Sequence, residues 1–137
     1  MSVNANFAAT PRMGVGQLTV ANPNRDGSGT VVTIFTAGAN GSLIDKVTAK
    51  AIATTTTGMI RLFVHDGTNF RLAYEMTVDA ITPSATVAGW SETAPVVEGG
   101  STPDAFPMIL PNGYSLRASS EKGGTEIFNI IAQGGDF

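Results

Sequence analysis

Two runs of alternating apolar and polar residues, separated by a short turn, constrain the fold of this chain more than any other feature. They span residues 59–78 and are joined by Asp66-Gly67-Thr68-Asn69. An apolar residue at every second position is typical of a strand with one buried and one solvated face, as in antiparallel sheets. The segment therefore predicts a β-hairpin, and it indicates a protein built from sheets.

The alternation also predicts which side chains of the hairpin are buried. The first run places on one face the residues Ile60, Leu62 and Val64, and on the other Arg61, Phe63 and His65. The second run places on one face the residues Phe70, Leu72, Tyr74, Met76 and Val78. We expect the apolar residues of both strands to face the core together, because residues two apart in a strand share a face.

The rest of the chain repeats short β-rich runs between turn signals. Further strands are predicted at residues 17–21, 30–36, 43–57, 86–93, 114–119 and 125–133. Residues 43–57 also fit a helical face, but their β-branched residues favour one long strand, bent or bulged. Asn40-Gly41 and Asn112-Gly113 are dipeptides typical of hairpin turns.

About eight strands with such spacing predict an all-β fold, an antiparallel β-sandwich of jelly-roll type. An immunoglobulin-like sandwich is the nearest alternative. Residues 1–14 have little periodicity and are interpreted as an extended N-terminal arm, and residues 15–137 as a single β-sandwich domain. A chain of 137 residues can bury a sufficient core without disulfides, and it has no cysteine.

Charge argues against two classes of partner. The formal net charge is −3, and the eight Lys and Arg are scattered along the chain. Nucleic acids and anionic membranes are bound by dense positive charge, so neither is expected as a partner. No secretory signal and no apolar run long enough to span a membrane is recognised. The protein is expected to be soluble.

Only 14% of the residues are charged, whereas about a quarter is typical of globular domains. Thr, Ser, Ala, Asn and Gly are expected to fill the outer faces of the sheets instead. A neutral surface of small residues suits permanent contact with other subunits.

No constellation of catalytic or metal-binding residues is recognised. His65 and Asp66 are adjacent and would point to opposite faces of a strand, and no nucleophile accompanies them. Residues 22–27 loosely resemble a calcium loop, but Thr33 stands where the bidentate Glu is needed. We therefore predict no catalytic residue, no cofactor and no metal, and we do not expect an enzyme.

Two segments without strand pattern are candidates for contact with a partner. They are the N-terminal arm and the proline-containing segment 95–107, because recognition is often carried by loops on a rigid scaffold. The candidate partner-binding residues in and near them are Phe7, Arg12, Trp90, Asp104 and Phe106. Trp90 could instead form a sugar-binding platform with Tyr114, or pack in the core.

Several stretches resemble the head decoration, or cement, proteins of tailed bacteriophages. They are residues 43–57, rich in Thr and Ala, the hairpin MIRLFVHDGTNFRLAYEMTV at 59–78, LPNGYSLRAS at 110–119 and FNIIAQGGDF at 128–137. The resemblance implies a jelly-roll or related sandwich that sits on the capsid lattice as a homotrimer. It brings no catalytic residues with it.

The expected function is therefore that of a structural virion protein. It would bind the outside of an assembled phage capsid, with the major capsid protein as partner, and stabilise the shell by bracing neighbouring capsid subunits. Its expected location is the capsid surface, after assembly in the host cytoplasm. The alternatives are a phage tail, fibre or baseplate component, a carbohydrate-binding β-sandwich module and, as the weakest, a hydrolase.

Overall fold

The computed structural model describes residues 10–94 and 107–137. These residues form nine strands, and none of them lies in a helix, so the described part of the chain holds no helical membrane span. The strands are β1 (Thr10–Leu18), β2 (Val32–Thr36), β3 (Ser42–Ala51), β4 (Gly58–His65), β5 (Phe70–Val78), β6 (Ser91–Ala94), β7 (Met108–Leu110), β8 (Ser115–Ser120) and β9 (Phe128–Asp136). Within the described residues the all-β prediction is confirmed.

The strands form two packed antiparallel sheets, as predicted for a β-sandwich. The first sheet has the order β1-β9-β3-β6, with β7 also paired to β3. The second has the order β2-β8-β4-β5. Between the inner faces lies the hydrophobic core, whose largest fully buried side chains are those of Phe35, Phe128, Leu18, Ile44, Ile60, Leu62, Met76, Leu110, Leu116 and Ile130.

The strand pairs are nested along the chain. β4 pairs with β5, β3 with β6 and β7, β2 with β8, and β1 with β9. Two further pairs, β3 with β9 and β4 with β8, link these nested pairs and complete the two sheets. The outermost pair joins Thr10 to Asp136, so both ends of the described chain meet in the first sheet.

The first strand begins earlier than the pattern of the sequence predicts. β1 starts at Thr10 and is paired to β9 along its whole length, so residues 10–14 belong to the sandwich rather than to an arm. Residues 1–9 lie outside the described residues. Gly14 shows why this strand packs closely, since a β-carbon there would lie 2.2 Å from the backbone oxygen of Ile34 on β2.

The long strand predicted at 43–57 is confirmed in part. β3 ends at Ala51, and a register shift between Ile44 and Lys46 supplies the expected bulge. No helix forms there. The two Asn-Gly dipeptides do form turns, with Gly41 and Gly113 at positive φ, but they join strands of different sheets. The hairpin interpretation of those turns is therefore wrong, because a local turn dipeptide does not specify which sheet the next strand enters.

The predicted hairpin is confirmed as β4 and β5, but the predicted faces are correct only for part of it. The register shifts between Leu62, opposite Tyr74, and Phe63, opposite Leu72. Since directly opposite residues share a face, Leu72 and Phe70 lie on the outer face with Phe63. Strict alternation cannot reveal such a bulge, which adds one unpaired residue to a strand.

Candidate interaction surface

The outer face of the first sheet is largely neutral where β1 and β9 run side by side. Pairing places Met13 opposite Gln133, Val15 opposite Ile131, and Gln17 opposite Asn129. The Gln17 side-chain amide donates a hydrogen bond to Asn129 Oδ1 at 2.9 Å. None of these outward positions is charged. The surface therefore offers apolar groups and amides, as a protein interface does.

Two of these side chains are unusually exposed for their type. Val15 is 63% exposed and Met13 is 59% exposed, the highest values among the large apolar residues of the described chain. Beside them lies a shallow groove of 410 Å³, lined by Val15, Gly16, Gln17, Asn129, Ile130 and Ile131. We call the outward side chains of Met13, Val15, Gln17, Asn129, Ile131 and Gln133 the β1–β9 surface.

Arg12 is bound within the chain by three contacts. Its Nη1 donates to Asp136 Oδ1 at 2.9 Å and to the backbone oxygen of Thr36 at 2.8 Å, and its guanidinium lies 4.4 Å from the centre of the Phe35 ring. The Ser42 hydroxyl also donates to Asp136 Oδ1, at 2.5 Å. Hydrogen bonds from Ser42 and then from Arg12 lower the pKa of Asp136. Arg12 thus forms an anchor that fastens β1 to β9 and to the end of β2, and its role in partner binding stays a prediction.

Trp90 is a core residue, and its assignment to partner binding is corrected. It is 4% exposed and meets the Phe128 ring edge-to-face, with ring centres 5.9 Å apart. Tyr114 packs against the same core, so the two aromatics do not form an exposed sugar-binding platform. The sequence alone does not distinguish a core Trp from an interface Trp, because the side chain buries a large apolar area in either place. The other three candidates, Phe7, Asp104 and Phe106, lie outside the described residues.

The segment between β1 and β2 lies against part of the outer face of β4 and β5. There Phe63 is fully buried although it does not belong to the core between the sheets. Phe70 meets it edge-to-face at 6.0 Å, and the backbone at Gly27 lies directly on Phe70. This second apolar cluster was missed because alternation alone places Phe63 on a solvated face.

Charged and amide side chains hold that covering segment in place. Glu75 accepts from Arg25 at 2.9 Å through one carboxylate oxygen and from the buried Arg61 at 3.1 Å through the other. The Asn22 side-chain amide donates to the backbone oxygens of Ser28 and Thr30. Residues 22–27, which loosely resemble a calcium loop, thus form a strap over the sheet.

His65 and Asp66 shape the hairpin turn. Asp66 Oδ1 accepts hydrogen bonds from the backbone N–H groups of Asn69 at 2.7 Å and Thr68 at 2.9 Å, and these bonds lower the pKa of Asp66. His65 Nδ1 accepts from the Gly67 N–H at 3.2 Å, and its ring contacts the Phe70 ring in a tilted arrangement, with ring centres 4.5 Å apart. Within the described residues no three His, Cys, Asp or Glu side chains are grouped so that they could hold a metal ion.

Neither a protein-family model nor a curated protein sequence matches this chain. The β1–β9 surface is the strongest candidate for a functional site in the described part of the molecule.

Proposed function

We propose that this protein is a structural virion component that binds the outside of an assembled phage capsid and braces neighbouring capsid subunits. The observation that carries the proposal is the β1–β9 surface, a neutral apolar patch on a rigid sheet. Exposed apolar side chains grouped on one face of a sandwich favour contact with another protein surface. Because the chain resembles head decoration proteins, we propose the major capsid protein as that partner.

The nested strand pairing supports the finer fold assignment. A jelly roll is an eight-stranded double sheet that combines two Greek keys. The two strand orders fit that plan when β6 and β7 are counted together as one strand beside β3. We therefore assign the sandwich to the jelly-roll type within this proposal.

The mechanism is mass action. A module that binds the assembled shell and not its free subunits stabilises the shell by its free energy of binding. Linked copies on a lattice bind more tightly than single ones, because the second contact is intramolecular. We propose a homotrimer as the linked form, so sedimentation equilibrium should give a mass that is a whole multiple of three times the chain mass of 14.1 kDa.

The test of capsid binding is co-sedimentation with purified shells of the phage that encodes the chain. We expect the protein to pellet with expanded shells and to raise their melting temperature. Procapsids and isolated tails are the matched controls. Binding to tails alone, or to no particle, would contradict the proposal.

A further inference from the structure

The four edges of the two sheets differ in how they are protected from pairing with another chain. β6 and β7 have only four and three residues, and β2 has five residues and a register shift. β5 is long, but it carries Arg71 and Glu75 and is bulged against β4. Short strands, charges and bulges are the usual means by which sheet edges avoid unwanted pairing.

β1 lacks this protection. It has nine residues, pairs with β9 without any register shift, and among the described strands pairs with no other. Its one charged side chain, Arg12, is bound to Asp136. Pro11 stands at the second position and leaves residues 12–18 able to pair. In an antiparallel ladder every second residue of β1 directs its N–H and C=O away from β9, so a row of backbone donors and acceptors faces outward.

We propose that β1 pairs antiparallel with the β1 of a second copy of this chain. The two copies would be related by a two-fold axis, and the two first sheets would join into one continuous sheet. Charge supports a second copy as the occupant: the exposed side chains of β1 are neutral, so two identical strands meet without the like-charge repulsion that disfavours paired strands.

The side-chain pattern fits the same arrangement. Opposite residues must share a face, so an antiparallel pair of β1 strands brings Met13, Val15 and Gln17 of one copy beside the same three residues of the other. The two most exposed large apolar side chains of the described chain would then cover each other. The pairing also extends the β1–β9 surface across both copies.

This inference concerns a two-fold contact that uses Met13 and Val15 of the β1–β9 surface. Its test measures the number of chains and not capsid binding, so its failure is distinguishable from failure of the proposed function and of the three-fold contact. A protein with the two-fold contact alone is a dimer. A protein with both contacts has an even number of chains, and on a lattice the two-fold contact would link neighbouring trimers.

The experiment uses the full chain and three variants, each checked by circular dichroism and thermal melting. Val15→Lys and Val15→Glu each place a charge beside the same charge of the second copy. Ile109→Lys is the matched control, because Ile109 is 56% exposed and lies on β7, away from β1. Sedimentation equilibrium at high micromolar concentration measures the mass of each sample.

We expect an even-numbered assembly for the wild type and for Ile109→Lys, and half that number of chains for each Val15 variant. Mixing Val15→Lys with Val15→Glu should restore the wild-type mass, because opposite charges then meet across the contact. Restoration in the mixture distinguishes a second copy from any other occupant of the edge.

Amide hydrogen exchange gives a second measurement that needs no variant. Protection of the β1 amides directed away from β9 should rise with protein concentration in the wild type. A wild-type monomer or trimer whose outward β1 amides exchange freely would overturn the inference. So would an even-numbered assembly that both Val15 variants leave unchanged.

Discussion

At the scale of single residues, the anchor around Asp136 gives the clearest dependence on pH. Hydrogen bonds from Ser42 and Arg12 hold the pKa of this carboxyl below its usual value of 3.8 in the folded protein. A lowered folded pKa means that the ionised carboxylate stabilises the fold above the usual pKa, and that this stability is lost as the pH falls through the folded pKa. Asp136→Asn should therefore lower the melting temperature at pH 7, with the difference from wild type shrinking below pH 3.8. The exposed Asp45→Asn is the control and should melt like the wild type at both pH values.

The substitution of Glu92 should have an effect on the melting temperature opposite to that of Asp136. Burial, with a smaller contribution from the nearby Asp79, raises the pKa of Glu92 above its usual 4.5. A raised folded pKa favours the fold below the usual value, and that contribution is lost as the pH rises through the folded pKa. Glu92→Gln should thus melt at a higher temperature than the wild type at pH 7. The two proteins should converge below pH 4.5. A Glu92→Gln protein that melts earlier than wild type at neutral pH would contradict this assignment.

At the scale of elements, Phe63 and Phe70 form a second apolar cluster on the outer face of β4 and β5, with the strap packed on Phe70. Phe63→Ala should cost about 3–5 kcal/mol of unfolding free energy, as is usual for a buried phenylalanine. Urea denaturation measures the loss, and Thr77→Ala on the neighbouring β5, at an exposed position, is the control, expected within about 0.5 kcal/mol of wild type. A cost for Phe63→Ala as small as that of the control would show that this side chain is not buried in the folded protein.

The same element shows how far a single sequence predicts this fold. The alternation of apolar and polar residues locates β4 and β5 because it depends only on residues within each strand. Asp66-Gly67 identifies the turn between them. The bulge opposite Leu62 and the packing of the strap on Phe70 depend on contacts between strands and segments that the alternation within one strand does not contain. The sequence predicts too short a β1 for a related reason, since Met13, Gly14 and Val15 pair with residues near 132 and show no strand pattern by themselves. The candidate surface was missed with it.

At the scale of the whole molecule, the nested pairing sets an order of folding. The β4–β5 hairpin closes a four-residue turn, whereas β1 and β9 join residues 10 and 136. Closing the long loop costs chain entropy that later contacts must offset, and sheet proteins rich in such pairs fold in roughly milliseconds to seconds. We therefore expect the hairpin to be formed in the folding transition state and the β1–β9 pair to form after it.

Two substitutions in stopped-flow kinetics test this order. Gly67 has a φ of 97°, and a side chain there strains the hairpin turn. Gly67→Ala should slow folding and leave the unfolding rate nearly unchanged. The strained turn destabilises the transition state as much as the native state if the hairpin is already formed there. Ile130→Val, in the core on β9, should cost about 0.5–1.5 kcal/mol and should appear mainly as faster unfolding. The reverse assignment of the two rate changes would show that folding begins where the two ends of the described chain meet.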